Sequence, residues 1–233
     1  MGRIVVAVVA AAGKGARLGA NVPKAYVPLQ GRTLLEHSVA AMENSEMVDE
    51  IIVVVSPSWE EIARGYLKRH DVKFVHGGAE RADSIWNALQ AIEHEDGAVL
   101  IHDSARALTP PGMIARVALS VLEGAPAVVP VLPVADTIKQ VDGDRVTGTL
   151  DRASLRAAQT PQGFDLRALR EANEAYFAGS AQFEATDDAS LMEWFGAPVV
   201  TVPGDPLAFK ITTPIDLRLA TALTDANSPT IVE

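Results

Sequence analysis

A glycine-rich loop that carries fixed positive charge is the stretch of this chain best suited to chemistry. The loop reads Ala11-Ala12-Gly13-Lys14-Gly15-Ala16-Arg17-Leu18-Gly19, and Lys24 follows five residues after it. Glycines let backbone N–H groups turn toward an anion at close range because no Cβ intervenes. Arginine and lysine add charge-assisted hydrogen bonds to phosphate oxygens. These residue types and their spacing predict a phosphate-binding loop.

The loop alone leaves two other interpretations open. Its glycines, Gly13, Gly15 and Gly19, are spaced G-x-G-x-x-x-G, which departs from the G-x-G-x-x-G of a dinucleotide-binding turn and disfavours a nicotinamide cofactor. The GxxxxGK[ST] pattern of a P-loop NTPase is absent from the sequence. An ordinary turn with solvated Lys14 and Arg17 remains the alternative to a phosphate site.

A second candidate is His102-Asp103-Ser104-Ala105-Arg106, which follows an apolar run. Ligands of open α/β sheets bind at the carboxyl ends of the strands, and a carboxylate there suits Mg²⁺ that bridges to phosphate. An equally supported alternative is a helix-capping Asp103 with Arg106 as its surface ion-pair partner. His102 is interpreted as a buried histidine with satisfied hydrogen bonds, because Mg²⁺ prefers oxygen ligands.

The third candidate is the stretch Gly77-Gly78-Ala79-Glu80-Arg81-Ala82-Asp83-Ser84. Paired glycines would let the backbone meet a flat base, and Ser84 could hydrogen-bond one edge of that base. A plain turn from strand to helix is the alternative.

The elements that must position these residues follow from the hydrophobic pattern. Apolar runs that predict strands alternate with stretches of helical periodicity, which predicts an α/β fold with a mostly parallel sheet covered on both faces. The predicted strands are Ile4–Val9, Ile51–Val55, Val72–Val75, Ala98–Ile101 and Val128–Leu132, with further short strands near Val199–Val202 and Phe209–Thr212. The predicted helix starts are capping boxes at Thr33 and Ser58 and the Thr213-Pro214 pair, and further helices are expected over Leu166–Phe177, Asp188–Phe195 and Pro214–Leu223.

The pattern changes after Pro130. Residues 133–152 contain the turn signal Asp142-Gly143-Asp144 between two short β-prone runs, which predicts a hairpin inserted into the α/β domain. A projecting arm that pairs with another subunit and an edge hairpin of the same sheet fit this pattern equally well. The expected organisation is one domain over residues 1–224, with a flexible tail at 225–233.

Composition limits the function classes. The net charge of the 233 residues is −10, which argues against a nucleic-acid binder because that role needs a basic face. The chain has no cysteine, which removes thiolate catalysis and fits a reducing compartment. The apolar run near the N-terminus is too short to span a membrane and lacks the flanks of a signal peptide, so a cytoplasmic location without membrane contact is expected.

Taken together and in order, the motifs resemble the 2-C-methyl-D-erythritol 4-phosphate cytidylyltransferase family of the non-mevalonate isoprenoid pathway. The chain departs from the family's usual pattern at Ala107, Asp187-Asp188 and Ala208. The matching pieces, which run from residue 11 to residue 212, are the glycine-rich loop, Pro23-Lys24, Leu35-Glu36-His37-Ser38, Gly77–Ser84, His102–Arg106, Asp136-Thr137-Ile138-Lys139, Gln159-Thr160-Pro161-Gln162, Thr186-Asp187 and Lys210-Ile211-Thr212.

The resemblance implies a Rossmann-like nucleotidyltransferase domain in a homodimer joined by the hairpin arm. It implies the transfer of a cytidylyl group from CTP to methylerythritol phosphate, with release of pyrophosphate and help from Mg²⁺ or another divalent metal. It also implies roles by position: Arg17, Lys24 and Lys210 for catalysis; Ala11, Ala12, Gly13, Gly15, Gly78, Ala79 and Ser84 for the nucleotide; Asp103 for the metal; Thr137, Arg152 and Thr186 for the acceptor substrate.

The sequence leaves two rival functions open. A ribitol 5-phosphate cytidylyltransferase would share the nucleotide half, although Asp136–Lys139 and Thr186-Asp187 favour the erythritol enzyme. A non-catalytic nucleotide-binding regulator would have no need for Arg17, Lys24 and Asp103 together at the phosphates.

Overall fold

Strands and helices alternate along most of the chain, as the apolar runs predict. Residues 3–13, 22–179 and 183–225 are described by the computed structural model. The strands are β1 (Val5–Ala10), β2 (Pro28–Leu29), β3 (Arg32–Thr33), β4 (Glu50–Val55), β5 (Lys73–His76), β6 (Ala98–Asp103), β7 (Ala127–Pro133), β8 (Lys139–Asp142), β9 (Arg145–Thr149), β10 (Arg156–Ala158), β11 (Gln162–Asp165) and β12 (Val199–Pro203). The helices are α1 (Leu34–Asn44), α2 (Glu60–Tyr66), α3 (Arg81–Gln90), α4 (Pro111–Leu122), α5 (Leu166–Ala178), α6 (Asp188–Phe195) and α7 (Pro214–Thr224), with short 3-10 helices at Lys24–Tyr26, Pro57–Trp59, Arg152–Ser154 and Pro206–Ala208.

The central sheet is mostly parallel, as predicted. Its order is β5-β4-β1-β6-β11-β7-β12. Strands β10 and β11 share one edge of β7: β11 pairs with its first two residues and β10 with its last three. Only β10 and β11 run antiparallel to their neighbours among the strands of this sheet that the described residues form. Because parallel strands are buried on both faces, their sequences are continuous apolar runs and not alternating ones.

Helices cover both faces of the sheet. Val5, Ala7 and Val9 of β1 face a core formed with α1, α2 and α4, whereas Val6 and Val8 face a second core formed with α3, α5 and α6. The apolar side chains on both sides of β1 are almost fully buried. The hydrophobic effect on the two faces therefore fixes the sheet in the middle of a three-layer fold.

The sheet changes its winding direction at β1. The chain passes from β1 to β4 and β5 on one side and then crosses to β6 on the other, so β1 lies between β4 and β6. The last residues of β1 and β6, Ala10 and Asp103, are register partners. Such a switch point opens a crevice at the carboxyl ends of the strands, where ligands bind in open α/β sheets.

Three of the local predictions concern capping, and two are confirmed. The hydroxyls of Thr33 and Thr213 accept hydrogen bonds from the backbone N–H three residues on, and complete capping boxes start α1 and α7. The capping box predicted at Ser58 is wrong, because Pro57 begins a 3-10 turn and Ser58 lies inside that turn. Helix α2 then begins after Trp59 without a side-chain cap.

The strand predicted over Phe209–Thr212 is also wrong. This segment belongs to no strand, and the Ile211 N–H donates to the Ala105 carbonyl at 2.9 Å. Ile211 is buried in a small third core with Leu34 and Ala220, so the apolar residues that suggested a strand serve instead to anchor a loop. This loop carries Lys210 across the end of β6.

The predicted hairpin is present as β8 and β9. These strands form their own two-stranded sheet, with Gly143 at φ +57° in the turn. The alternative of an edge hairpin of the central sheet is therefore wrong. Val141 and Val146 expose 63% and 62% of their surface, which is high for apolar side chains.

Other parts of the predicted organisation are untested. Residues 226–233, most of the predicted tail, lie outside the described residues, and one domain over 1–224 stays a prediction. Within the described ranges, no helix combines the length and apolar character needed to cross a membrane.

Candidate active site

A cavity of about 280 Å³ opens at the switch point of the sheet. It brings together nine of the residues that the sequence assigned to the site, from five separate segments of the chain. They are Ala11, Ala12, Gly13, Lys24, Gly78, Ala79, Ser84, Asp103 and Lys210. The loop ends of β1, β5 and β6 thus meet around one space.

The remaining predicted residues lie elsewhere or are not described. Gly15 and Arg17 fall outside the described residues, as does most of the glycine-rich loop. Thr137 and Arg152 are exposed at the base of the hairpin, where the Arg152 guanidinium donates to the Ala135 carbonyl at 2.7 Å. Thr186 is exposed just before α6. These three acceptor-side residues do not line the cavity of their own chain.

The first wall of the cavity continues from β1. The Ala11 N–H donates to the Val54 carbonyl at 2.8 Å, so the backbone stays in register with β4 until the loop begins. A Cβ on Gly13 would meet nothing within 4 Å among the described residues. Glycine at this position therefore leaves open space beside the cavity, and no close contact with a described residue requires it.

The second wall depends on two glycines for close packing. A Cβ on Gly78 would lie 2.3 Å from Cβ of Asp83, and one on Gly77 would lie 2.8 Å from Cβ of Ala12. The Ser84 hydroxyl accepts from the Gly78 N–H and donates to the Glu80 carbonyl, both at 3.0 Å. Ser84 lines the cavity as predicted, but its proton is already used to hold this loop.

An ion pair joins the third and fourth walls. Lys210 Nζ lies 2.7 Å from Asp103 Oδ2, and the Asp103 side chain is 15% exposed. Burial alone would raise the pKa of this carboxyl, but the positive charges of Lys210 and Arg81 outweigh burial and lower the pKa to about 2. Asp103 is therefore ionised at any pH near neutrality.

The alternative interpretation of Asp103 as a helix cap paired with Arg106 is wrong. No helix begins at Asp103, and the Arg106 guanidinium donates to the carbonyls of Ala208 and Ala158, at 2.7 and 3.3 Å. These bonds hold the loop that precedes Lys210 against β10.

His102 is buried, as expected, but only half of its ring is paired. The Asp103 N–H donates to Thr160 Oγ1 at 3.0 Å, and the Thr160 hydroxyl forms a hydrogen bond with His102 Nδ1 at 3.2 Å. Nε2 finds no partner among the described residues. Burial lowers the pKa of His102 to about 4, so the ring is neutral at pH 7 and serves to hold Thr160 behind Asp103.

Sequence reasoning assigned no role to Arg81 and Asp188. Arg81 lines the cavity, and its Nη2 lies 2.6 Å from Oδ2 of the buried Asp188. Burial favours the neutral form of Arg81, but the charge of Asp188 keeps its pKa raised. The partners are 107 positions apart, so no local pattern signals the pair, although Arg81 lies inside a matched motif.

The first residues of a glycine-rich loop, an ionised carboxylate and two lysines at the switch point of a mostly parallel sheet are typical of an α/β enzyme that acts on phosphorylated nucleotides. The family model for 2-C-methyl-D-erythritol 4-phosphate cytidylyltransferase (IspD) matches residues 5–225. The chain therefore belongs to this family, as the motifs predicted.

Individual relatives agree with the family assignment. The protein of that name from Corynebacterium diphtheriae is 62% identical over 240 residues, which cover 100% of this chain and 98% of the relative. The one from Nocardia farcinica is 52% identical over 223 residues, which cover 95% and 94%.

Solved structures of similar proteins share the fold along nearly their whole length. The 2-C-methyl-D-erythritol 4-phosphate cytidylyltransferase from Thermus thermophilus superposes with a TM-score of 0.77 at 38% identity, with 93% of this chain and 96% of that one covered. The 4-diphosphocytidyl-2C-methyl-D-erythritol synthase from Anaerococcus prevotii gives a TM-score of 0.83 at 29% identity, with 96% and 99% covered.

Proposed function

We propose that this protein transfers the cytidylyl group of CTP to 2-C-methyl-D-erythritol 4-phosphate, forming 4-diphosphocytidyl-2-C-methyl-D-erythritol and pyrophosphate in the synthesis of isoprenoid precursors. The observation that carries the proposal is the convergence of Lys24, Asp103 and Lys210 on one cavity at the switch point. Family membership supplies the identity of the two substrates.

The main barrier to this reaction is electrostatic. A phosphate oxygen of the acceptor attacks the α-phosphorus of CTP, which is already surrounded by negative oxygens, and the bond to pyrophosphate breaks. Lys24 and Lys210 would bind these oxygens and offset the charge that accumulates in the transition state. We include Arg17 in this role by its place in the motif. No protein nucleophile is needed, because positioning and charge neutralisation suffice.

The metal proposal rests on the chemistry of Asp103. Its carboxylate is ionised, offers oxygen ligands and faces the cavity, which suits Mg²⁺. Among the described residues no group of three or more metal-binding side chains is present, so nucleotide phosphates would complete the coordination. When bound, the cation would neutralise charge on the phosphate oxygens. The Lys210 ammonium would then leave Asp103 and pair with the phosphates of the nucleotide.

Backbone groups would recognise the base. Ala11, Ala12, Gly13, Gly78 and Ala79 line the cavity, and a small pocket lined by backbone would favour a pyrimidine over a purine on steric grounds. Because the Ser84 hydroxyl holds its own loop, we assign it to shaping the pocket, and cytosine would be read by N–H and C=O groups around it.

The acceptor side is proposed to need two chains. Thr137 and Arg152 lie on the arm and do not line the cavity of their own chain. A homodimer joined through the arm would bring these two residues to the site of the partner. A cytoplasmic location completes the proposal and fits a chain without cysteine.

The test is pyrophosphate release measured with CTP, UTP, ATP and GTP, each against methylerythritol phosphate and ribitol 5-phosphate, with and without Mg²⁺. We expect release with CTP, methylerythritol phosphate and Mg²⁺ to exceed every other combination. Stronger release with ribitol 5-phosphate would assign the protein to that acceptor, and CTP binding without any release would make it a nucleotide-binding regulator.

A further inference from the structure

Gln162 is a buried side chain that does not line the cavity. It is the first residue of β11 and is only 2% exposed. Its amide nitrogen donates to Asp187 Oδ2 at 2.6 Å, and its amide oxygen accepts from the Ala189 N–H at 3.1 Å. Both contacts reach the N-terminus of α6 from the sheet.

Thr186, to which the resemblance assigns a role with the acceptor, directly precedes that end of α6. Asp187 caps the helix by accepting the Ser190 N–H at 2.8 Å, and Asp188 forms the ion pair with Arg81 of the cavity wall. The Thr186 N–H donates to Ser190 Oγ at 3.1 Å, so its position depends on the same turn.

The contacts of Gln162 require an amide. Asp187 can only accept a hydrogen bond, so the partner atom must be a donor, whereas the Ala189 N–H requires an acceptor. A carboxylate in place of Gln162 would set two negative oxygens against each other at this short distance. A partly buried hydrogen bond to a charged group is also among the stronger ones, and losing it leaves Asp187 Oδ2 without this donor.

We infer that Gln162 is a positioning residue that fixes Thr186 through the turn that begins α6, and so sets the affinity for the acceptor. The inference rests on the proposed function for the identity of that acceptor. Gln162 acts through the turn that begins α6 and does not touch either substrate.

The kinetic test uses Gln162→Glu and the double variant Gln162→Glu/Asp187→Asn. In the double variant the new amide at position 187 can donate to the new carboxylate at position 162, so the hydrogen bond is restored in the opposite direction. We expect Gln162→Glu to raise KM for methylerythritol phosphate about tenfold or more while KM for CTP changes less than about twofold. The double variant should recover most of the loss. An equal rise in both KM values, or no recovery in the double variant, would overturn the inference.

Asn173→Asp is the matched control, because it also turns a buried amide into an acid. Asn173 is 1% exposed and donates to the Leu169 carbonyl within α5. This variant should lower the melting temperature without changing the ratio of the two KM values. If Gln162→Glu behaves like Asn173→Asp, its role is only structural and the inference fails.

A second readout needs no substrate. Hydrogen exchange at the amides of Ala189 and Ser190 should accelerate about tenfold or more in Gln162→Glu and return toward the wild-type rate in the double variant. Unchanged exchange would overturn the inference even if the enzyme is active. Absence of pyrophosphate release in the wild type, together with the expected exchange pattern, would refute the proposed function and leave the positioning of α6 standing.

Discussion

Lys210 and Asp103 form an ion pair of 2.7 Å across the mouth of the cavity, although they come from elements 107 residues apart. Asp103 is the last residue of β6. Lys210 lies on a loop that is anchored by Ile211 and by the hydrogen bonds of Arg106. In the absence of nucleotide each side chain thus neutralises the other. Binding a triphosphate and a cation would separate them, each toward a partner of opposite charge.

Replacing Lys210 should affect rate far more than stability. We expect Lys210→Met to lower kcat by ~10²–10³, because a preorganised positive group at the reacting phosphates is lost. Pyrophosphate release at saturating CTP measures this effect. Lys73→Met is the control: Lys73 also pairs with a carboxylate, that of Glu93 at 3.1 Å, and should leave kcat unchanged. A similar loss in both variants would show that Lys210 has no special role.

Asp103 should determine the dependence on Mg²⁺. Asp103→Asn removes the ionised oxygen and should raise the Mg²⁺ concentration for half-maximal rate by about tenfold or more. Asp96→Asn is the matched control, because Asp96 precedes the same strand at its opposite end and pairs with Arg3 at 2.8 Å. If the Mg²⁺ titration of Asp103→Asn coincides with that of the wild type, Asp103 does not hold the metal.

Gly78 should be intolerant of any side chain. In Gly78→Ala the new Cβ would lie 2.3 Å from Asp83, so the loop must shift. We expect a loss of about 1–3 kcal/mol in the free energy of unfolding, from urea titration, and weaker CTP binding by calorimetry. Gly65→Ala in α2 meets open space and should instead gain roughly 0.5–1 kcal/mol. Unchanged CTP affinity in Gly78→Ala would remove this loop from the nucleotide site.

The hairpin arm should control the oligomeric state. Val146→Asp places a charge next to Val141, the other exposed valine of the arm, and should convert a dimer to a monomer with much less activity. Light scattering after size exclusion measures the mass. Leu119→Asp, at a residue of α4 that is 47% exposed, is the control and should remain dimeric. A wild-type monomer with full activity at assay concentration would contradict the proposed role of the arm.

The site roles predicted from the sequence stay predictions, but several predicted residues that follow apolar runs do line one cavity. Asp103 is the last residue of β6, Ala11 directly follows β1 and Gly78 lies two residues after β5, and a parallel sheet brings such positions to one edge. The pair Arg81–Asp188 and the bonds of Gln162 were not predictable, because they depend on how α6 packs against the sheet. Periodicity reports which residues are buried, but it does not report their distant partners.

The wrong local predictions have the same origin. The segment 209–212 has the composition of a strand, yet it forms a loop. One backbone hydrogen bond joins this loop to Ala105, just after β6, and its buried isoleucine packs in the third core. Ser58 has the spacing of a cap, but Pro57 starts the turn one residue earlier. In each case a neighbouring contact outweighs the local preference.

Tyr26 should make stability fall in alkaline solution. Its ring stacks on Trp59 with centroids 4.7 Å apart, and its hydroxyl is buried without a hydrogen-bond partner among the described residues. Burial raises the pKa of Tyr26 to about 12, whereas an unfolded tyrosine ionises near pH ~10. Above pH ~10 the unfolded chain therefore releases a proton that the folded chain retains, which favours unfolding.

Tyr26→Phe isolates this effect, because it keeps the stacked ring and removes the hydroxyl. At pH 7 we expect the free energy of unfolding to stay within about 1 kcal/mol of the wild type, since an unpaired hydroxyl contributes little. Between pH ~10 and ~12 the wild type should lose on the order of 3 kcal/mol that the variant retains. Urea titrations from pH 8 upward measure both curves. Parallel curves would mean that the hydroxyl is solvated, so Tyr26 would then titrate as an ordinary tyrosine.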